Sequence, residues 1–218
     1  MLVPGLGSNG RKLSRLFPPE ADVHRVLWDS VGSIDHPLEL AALWIQKLPT
    51  HTPYTLVVQS LGAALVNDFC AHRLPRRLIV LSGPFCAEEL PFGARWPGLK
   101  EVLSLVPAKG VHTAVRRILQ RGAPQWGLPK DLPEFDRLSP KLYKALLLRF
   151  LERSPSNRFM HNPDCEVHRI FDPTDRLSGV PKYGILHPMH GGGHLLERKY
   201  PDVLSQTLKS ILLNLSDL

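Results

Sequence analysis

The chain lacks the features that mark membrane proteins, secreted proteins and proteins held together by metals. No apolar run reaches the ~18 to 20 residues of a membrane span, and the start at Met1 lacks the basic and apolar regions of a signal peptide. Its three cysteines form no Cys-x-x-Cys pair, which argues against a disulfide framework and a thiolate metal site. We therefore expect a cytoplasmic protein with no membrane span and no metal, and we expect a monomer.

Aromatic residues are also few, at 7% of the chain. The basic character of the chain, with a net charge of +7 and a pI near 9.5, is compatible with nucleic-acid binding. However, no finger, helix-turn-helix signature or interleaved aromatic pattern accompanies this charge. We therefore expect no nucleic-acid partner.

What the chain does have is the composition of a globular domain, with 218 residues of which 43% are hydrophobic and 22% charged. Short apolar runs alternate with amphipathic stretches, a pattern typical of an α/β protein with a parallel sheet covered by helices. The predicted strands are 1–3, 23–28, 54–58, 77–81, 166–171 and 183–186. The predicted helices are 11–17, 37–48, 61–72, 139–151 and 200–213.

This alternation stops in the middle of the chain. Proline makes up 21 of the 218 residues, about twice the usual share, and between 84 and 162 the prolines predict a run of short helices. We therefore predict a core formed by 1–83 and 163–218, with 84–162 as a helical lid. Between Pro84 and Met160 the chain has 13 Lys and Arg against 7 Asp and Glu. This surplus indicates either a solvated helical face or a docking surface for an acidic partner.

Ser60 lies where the predicted strand 54–58 gives way to the predicted helix 61–72. In Gln59-Ser60-Leu61-Gly62, a sharp strand-to-helix turn would raise the serine hydroxyl above the sheet, beside the Leu61 N–H. A helix-capping serine is the commoner interpretation of such a sequence. A nucleophilic serine also needs a base and an acid that orients the base.

Both partners follow late strands, as an α/β sheet with this chemistry requires. Asp172 and Asp175 come directly after the predicted strand 166–171. His194 comes after the last predicted strand and is preceded by three glycines, which let the backbone approach other loops closely.

These segments resemble those of the α/β-hydrolase superfamily, and in particular its small esterases with a helical lid. The resemblance covers nearly the whole chain: 2–7 is similar to the glycine loop, 57–63 to the nucleophile elbow, 175–176 to the acid segment and 192–194 to the base segment. It implies an α/β-hydrolase fold with a mostly parallel sheet, trimmed at its N-terminal edge. It also implies the nucleophile Ser60, the base His194, the acid Asp175 and an oxyanion hole from the Leu6 and Leu61 N–H groups, with no cofactor.

Two residues depart from the family pattern. Val58 stands where the elbow usually has glycine or another small residue, and we expect its side chain to crowd the turn. Asp172 stands where the acid loop usually has glycine, so it is a rival to Asp175. A non-catalytic α/β-hydrolase scaffold is therefore an alternative.

A second alternative is a dinucleotide-binding protein of the Rossmann type. Gly5, Gly7 and Gly10 form a G-x-G-x-x-G, and Asp29 follows as a candidate ribose ligand. However, only three residues precede Pro4, which is too few for the expected strand. The chain also has no Tyr-x-x-x-Lys pair for a short-chain reductase.

The predicted function is the hydrolysis of a carboxylic ester or thioester through an acyl-enzyme. The lid resembles that of the esterases that demethylate pimeloyl-acyl carrier protein in biotin synthesis, so an acyl methyl ester carried on acyl carrier protein is the most specific prediction. The residues predicted to bind this partner are Arg116, Arg117, Arg121, Lys141, Lys144, Arg149 and Arg153.

Overall fold

In a computed structural model of the chain, five strands form one parallel sheet in the order β1-β2-β3-β4-β5. The structure describes residues 1–5, 10–28, 34–85, 87–90, 96, 98–126, 135–136, 138–151 and 162–213. The strands are β1 (Leu2–Val3), β2 (Thr55–Gln59), β3 (Arg77–Leu81), β4 (Glu166–Phe171) and β5 (Ile185–Pro188). Because all of them run in the same direction, their carboxyl ends meet at one edge.

The strands agree with the sequence prediction at the centre of the sheet and differ from it at the margin. β3 and β4 have the predicted bounds, whereas the predicted strand 23–28 is reduced to an isolated bridge between Arg25 and Leu2. The physical reason is that β1 is only two residues long. Leu2 accepts the N–H of Val26 and donates its own N–H to His24, and this is all the pairing that so short a strand offers.

Eight α-helices are described: α1 (Arg11–Ser14), α2 (Pro37–Ile45), α3 (Val66–His72), α4 (Leu99–Leu105), α5 (Ala108–Trp126), α6 (Pro140–Phe150), α7 (Leu196–Lys199) and α8 (Pro201–Leu213). Two 3₁₀ segments, Ser60–Leu65 and Ala87–Glu89, are also described. α6 begins where the sequence predicts, because Ser139 accepts the N–H of Leu142 and Pro140 suits the first turn.

The prediction of uniformly short helices between 84 and 162 is wrong for α5, which has 19 residues. Pro107 directly precedes this helix, and the next proline, Pro124, lies in its last turn. The intervening residues therefore extend without a break. α5 packs on α6, and the ring of His112 on α5 lies against that of Phe135, with the centroids 4.2 Å apart and the planes tilted by 31°.

The sheet is covered on both faces. Leu56, Val58 and Val80 belong to an apolar cluster that includes residues of α2, α3 and α6, while Val57 and Ile79 belong to a second cluster with α8. This alternation along β2 and β3 is the period-two pattern of strands buried between two layers of helices. In the described part of the chain, no helix combines the length and apolarity that crossing a bilayer requires.

Candidate active site

Ser60 lies at a strained turn between β2 and the 3₁₀ segment that follows it. Its φ of 50° falls in the left-handed region that residues other than glycine rarely adopt. Glycines make room for this turn: a Cβ at Gly5 would lie 2.7 Å from Ser60 Cβ, and one at Gly62 would lie 2.6 Å from the Val3 carbonyl oxygen. The predicted elbow at Ser60 is therefore present, and the backbone around it is packed too closely for larger residues.

Val58 does not prevent this turn. Its side chain is fully buried inside β2, between its register partners Val3 and Val80, and belongs to the apolar cluster beneath the sheet. The turn at Ser60 forms with this branched side chain in place, so the expected crowding does not abolish the elbow.

Three side chains from different loops form one hydrogen-bonded chain at the carboxyl edge of the sheet. Ser60 Oγ lies 2.6 Å from His194 Nε2, and His194 Nδ1 lies 2.8 Å from Asp175 Oδ2. Ser60 follows β2, Asp175 follows β4 and His194 follows β5. His194 and Asp175 are buried. This is the geometry of a hydroxyl next to a base whose second nitrogen is held by an acid.

The surroundings of Asp175 favour its ionised form. Burial by itself raises the pKa of this carboxyl group, but the hydrogen bond and charge of His194 and the donors Ser178 Oγ and Leu177 N outweigh burial and lower the pKa below its ordinary value. A carboxylate here accepts the Nδ1–H of His194 and holds the ring so that Nε2 faces Ser60.

Asp172 has a different task from Asp175. Its Oδ1 accepts the N–H and the hydroxyl of Thr174, each at 2.8 Å, and its Oδ2 accepts the N–H of Gly193 at 2.6 Å. Burial raises the pKa of Asp172, but these donors outweigh it and lower the pKa. Asp172 thus holds the backbone of the glycine-rich loop that carries His194, while Asp175 holds the imidazole.

Of the two predicted oxyanion-hole residues, only Leu61 lies within the described residues. It directly follows Ser60 at the start of the 3₁₀ segment, where the first N–H groups of a helix lack partners within it. Leu6 lies outside the described residues.

Two buried polar pairs near the site were missed by the sequence analysis. Arg169 of β4 places its guanidinium 3.2 and 2.9 Å from the two carboxylate oxygens of Glu89, and these side chains are 1% and 0% exposed. Arg169 also donates to the Gly83 carbonyl, and Glu89 accepts the N–H groups of Phe85 and Lys182. The second pair is Gln59 with Glu197. The sequence signal for the first pair was an arginine in the second half of a predicted strand, directly before Ile170 and Phe171.

The predicted basic partner surface divides into residues with different environments. Arg117 and Arg121 are exposed on α5, and Arg153 lies outside the described residues. The other four are bound within the chain: Arg116 to Asp136 at 2.8 Å, Lys141 to Asp35 at 3.2 Å, Arg149 to Asp68 at 3.0 Å, and Lys144 to the carbonyls of Ser104 and Val106 at 2.7 and 2.8 Å.

Gly5, the first glycine of the motif that suggests dinucleotide binding, lies next to the turn at Ser60. Gly5 packs against Ser60, and α1 after the motif has only four residues. In a dinucleotide-binding unit, the second strand lies between the first and the third. Here the third extended segment, β2, pairs directly with β1, and the segment at Arg25 does not lie between them. Gly7 and Asp29 lie outside the described residues. Across the described ranges, no group of three His, Cys, Asp or Glu side chains could hold a metal ion.

No protein-family model matches the sequence, and neither does any curated protein. Solved structures match nearly all of it. The thioesterase RedJ of prodiginine biosynthesis in Streptomyces coelicolor is 18% identical, with 95% of this chain and 87% of RedJ covered and a TM-score of 0.59. The type II thioesterase BorB of the borrelidin biosynthetic cluster is 15% identical, with coverages of 95% and 89% and a TM-score of 0.60. A hydrolase from Oleispira antarctica is 15% identical, with coverages of 98% and 90% and a TM-score of 0.65.

The chain has the α/β-hydrolase fold. The predicted fold class, a parallel sheet flanked by helices, is thereby confirmed. At these identities the likeness establishes the α/β-hydrolase fold alone, so the roles of Ser60, His194 and Asp175 are argued from their geometry.

Proposed function

We propose that the chain is a serine hydrolase that cleaves a carboxylic ester or thioester. The observation that carries this proposal is the hydrogen-bonded chain Ser60–His194–Asp175 at the carboxyl edge of an α/β-hydrolase sheet. The contact of Ser60 Oγ with His194 Nε2 at 2.6 Å, with Nδ1 of the same ring held by Asp175, supports catalysis over the scaffold alternative.

The proposed reaction begins when His194 Nε2 takes the proton of the Ser60 hydroxyl as Oγ attacks the acyl carbon. The oxyanion that forms is stabilised by the Leu61 N–H and, in the proposed pair, by that of Leu6. The imidazolium then protonates the departing alcohol or thiol, leaving the acyl group on Ser60. Water attacks this acyl-enzyme with His194 again as the base, and the acid is released. Asp175 keeps the proton on Nδ1 throughout.

A fluorophosphonate probe and a short p-nitrophenyl ester test this reaction. We expect Ser60→Ala to abolish labelling and to lower kcat by at least ~10³-fold. Ser82→Ala is the matched control, because Ser82 also follows a strand with a positive φ, of 45°, and is buried. Labelling of Ser60→Ala at the rate of the unaltered chain would reject the proposal.

The finer proposal concerns the acyl donor, which we propose is an acyl group carried on an acidic carrier protein. The surplus of cations between Pro84 and Met160 supports this partner. Arg117 and Arg121, one helical turn apart, are exposed on α5 and take part in none of the ion pairs recorded among the described residues. The similar structures include the thioesterases RedJ and BorB.

Charge reversal on α5 tests the carrier. We expect Arg117→Glu/Arg121→Glu to raise KM for a carrier-linked substrate by roughly tenfold and to leave KM for the p-nitrophenyl ester unchanged. Lys12→Glu/Lys209→Glu is the control, with the same charge change on exposed residues of α1 and α8. Equal effects on both substrates would exclude a carrier site on α5.

The most specific form of this proposal is the methyl ester of pimeloyl-acyl carrier protein, supported by the sequence resemblance. A carrier-bound thioester is the competing substrate, supported by the similarity to thioesterases. The released product separates the two, because methyl ester hydrolysis yields methanol and leaves the acyl group on the carrier, whereas thioester hydrolysis yields a free carrier thiol.

A further inference from the structure

We propose that Gln59 and Glu197 are positioning residues that hold the nucleophile turn and the histidine loop at their working distance; this inference rests on the proposed hydrolase function. Gln59 Nε2 donates a hydrogen bond to Glu197 Oε2 at 2.8 Å. The two residues are 1% and 6% exposed, so the bond is shielded from water.

The place of Gln59 in its strand makes this polar side chain unusual. Alternation along β2 puts Gln59 on the same face as Val57, which belongs to an apolar cluster together with Leu196 and Leu204. Burying an amide among such groups costs free energy unless it is hydrogen-bonded. A leucine would fill this position without that requirement, so the bond to Glu197 calls for an explanation.

The two ends of this bond lie next to the two reacting groups. Gln59 directly precedes Ser60, and Glu197 follows His194 by three residues, in the first turn of α7. The bond Gln59–Glu197 therefore joins the same two loops as the bond Ser60–His194. The first bond is buried and connects residues 138 positions apart in the chain, so it can keep the loops together whenever substrate chemistry breaks the second.

Gln59 also approaches the third loop of the site. Its Oε1 lies 3.5 Å from the N–H of Gly5, a long contact, and a Cβ on Gly5 would meet the Gln59 carbonyl oxygen at 3.1 Å. The amide of Gln59 thus lies between the glycine loop, the nucleophile turn and the histidine loop. Because misplacing reacting groups by about 1 Å can cost ~10²-fold in rate, this bridge is expected to act on kcat.

The test uses the variant Gln59→Leu/Glu197→Leu. Replacing both partners of a buried hydrogen bond by apolar groups can be nearly neutral for stability, so this variant is expected to fold. We expect its kcat for p-nitrophenyl acetate to fall by roughly 10- to 100-fold, with KM within about twofold of the unaltered chain. Labelling by the fluorophosphonate probe is expected to slow in parallel.

Two further variants separate positioning from stability. Glu197→Gln retains a side-chain oxygen that can accept the Gln59 bond, so its kcat should stay within about threefold. Tyr54 lies just before β2, at the end of that strand away from Ser60. Tyr54→Phe removes the hydrogen bond from Tyr54 Oη to the Arg73 carbonyl and should leave kcat unchanged.

The outcomes distinguish this inference from the proposed function. If the unaltered chain is labelled at Ser60 but the double variant has the kcat of Tyr54→Phe, the positioning role is overturned. It is overturned as well if Glu197→Gln loses as much kcat as the double variant. No labelling of the unaltered chain would overturn the proposed function, and this inference with it.

Discussion

Two networks of side chains, each with a histidine next to a carboxyl group, lie in different parts of the sheet. One network ends at a hydroxyl group and the other at a guanidinium group. At the carboxyl edge, His194 lies between Asp175 and Ser60. Towards the amino ends of β3 and β4, His168 Nδ1 lies 3.0 Å from His187 Nε2, and its Nε2 lies 3.2 Å from Glu166 Oε2 without hydrogen-bond alignment. Arg77 Nε in turn donates to Glu166 at 2.8 Å.

The difference shows that burial, together with the other partners of the carboxylate, decides what a histidine beside a carboxylate can do. Apart from His194, the recorded donors to Asp175 are neutral, so its charge is available to an imidazolium. Glu166 already shares its charge with Arg77. Burial lowers the pKa of His168, with the nearby Glu166 only partly offsetting it, and burial together with the charge of His168 lowers the pKa of His187. The surroundings of His168 and His187 therefore favour the neutral forms of both rings.

The contrast between the two acids of the site has the largest expected effect. We expect Asp175→Asn to lower kcat by about 10⁴-fold, because an amide at this position favours the wrong tautomer of His194. Asp172→Asn disturbs the backbone of Gly193 and should lower kcat by no more than roughly tenfold. Both variants are to be measured with the same p-nitrophenyl ester. A larger loss in Asp172→Asn would exchange the roles of the two residues.

Ion pairs at the two ends of the sheet provide the next contrast. Glu89→Gln leaves the buried charge of Arg169 unpaired and should lower the free energy of unfolding by about 3–5 kcal/mol. Glu166→Gln removes a carboxylate that is 44% exposed, while Arg77 keeps its bond to the Ile211 carbonyl, so we expect a cost of about 1 kcal/mol. Urea denaturation of both variants measures the difference, and equal losses would contradict the contrast in burial.

The smallest expected effect is the pH dependence of stability from the two structural histidines. Their native pKa values lie below the ordinary 6.5, so the unfolded chain binds more protons as pH falls below that value. Their stabilising contribution is therefore complete above about pH 6.5 and is lost as pH falls through the native pKa values.

Denaturation at pH 7.5 and pH 5.5 tests this effect. We expect His168→Gln/His187→Gln to lose less stability on acidification than the unaltered chain, by under ~1 kcal/mol per pH unit. His51→Gln, on an exposed turn, is the control and should keep the original slope. An unchanged slope in the double variant would show that these histidines bind protons equally in the native and unfolded states, and it would contradict the lowered native pKa values.

Local patterns predicted much of the fold. The β-branched and leucine-rich run of β3, ended by Ser82-Gly83-Pro84, has the bounds that the sequence predicts. The strand at 23–28 failed, because strand formation also needs a partner and β1 offers two residues. The pairs Arg169–Glu89 and Gln59–Glu197 could not be predicted, since their partners lie 80 and 138 positions apart and no local period links them.

The sequence by itself determined the order of strands and helices, and it placed a serine, two aspartates and a histidine after three different strands. The physical reason is that propensity, hydrophobic period and turn residues act over a few positions. Only the tertiary structure decided that Asp175 faces the imidazole while Asp172 holds the loop, and that four of seven cations are bound within the chain. Hydrogen bonds depend on a few tenths of an ångström, and loops reach that precision only once the packed sheet brings their ends together.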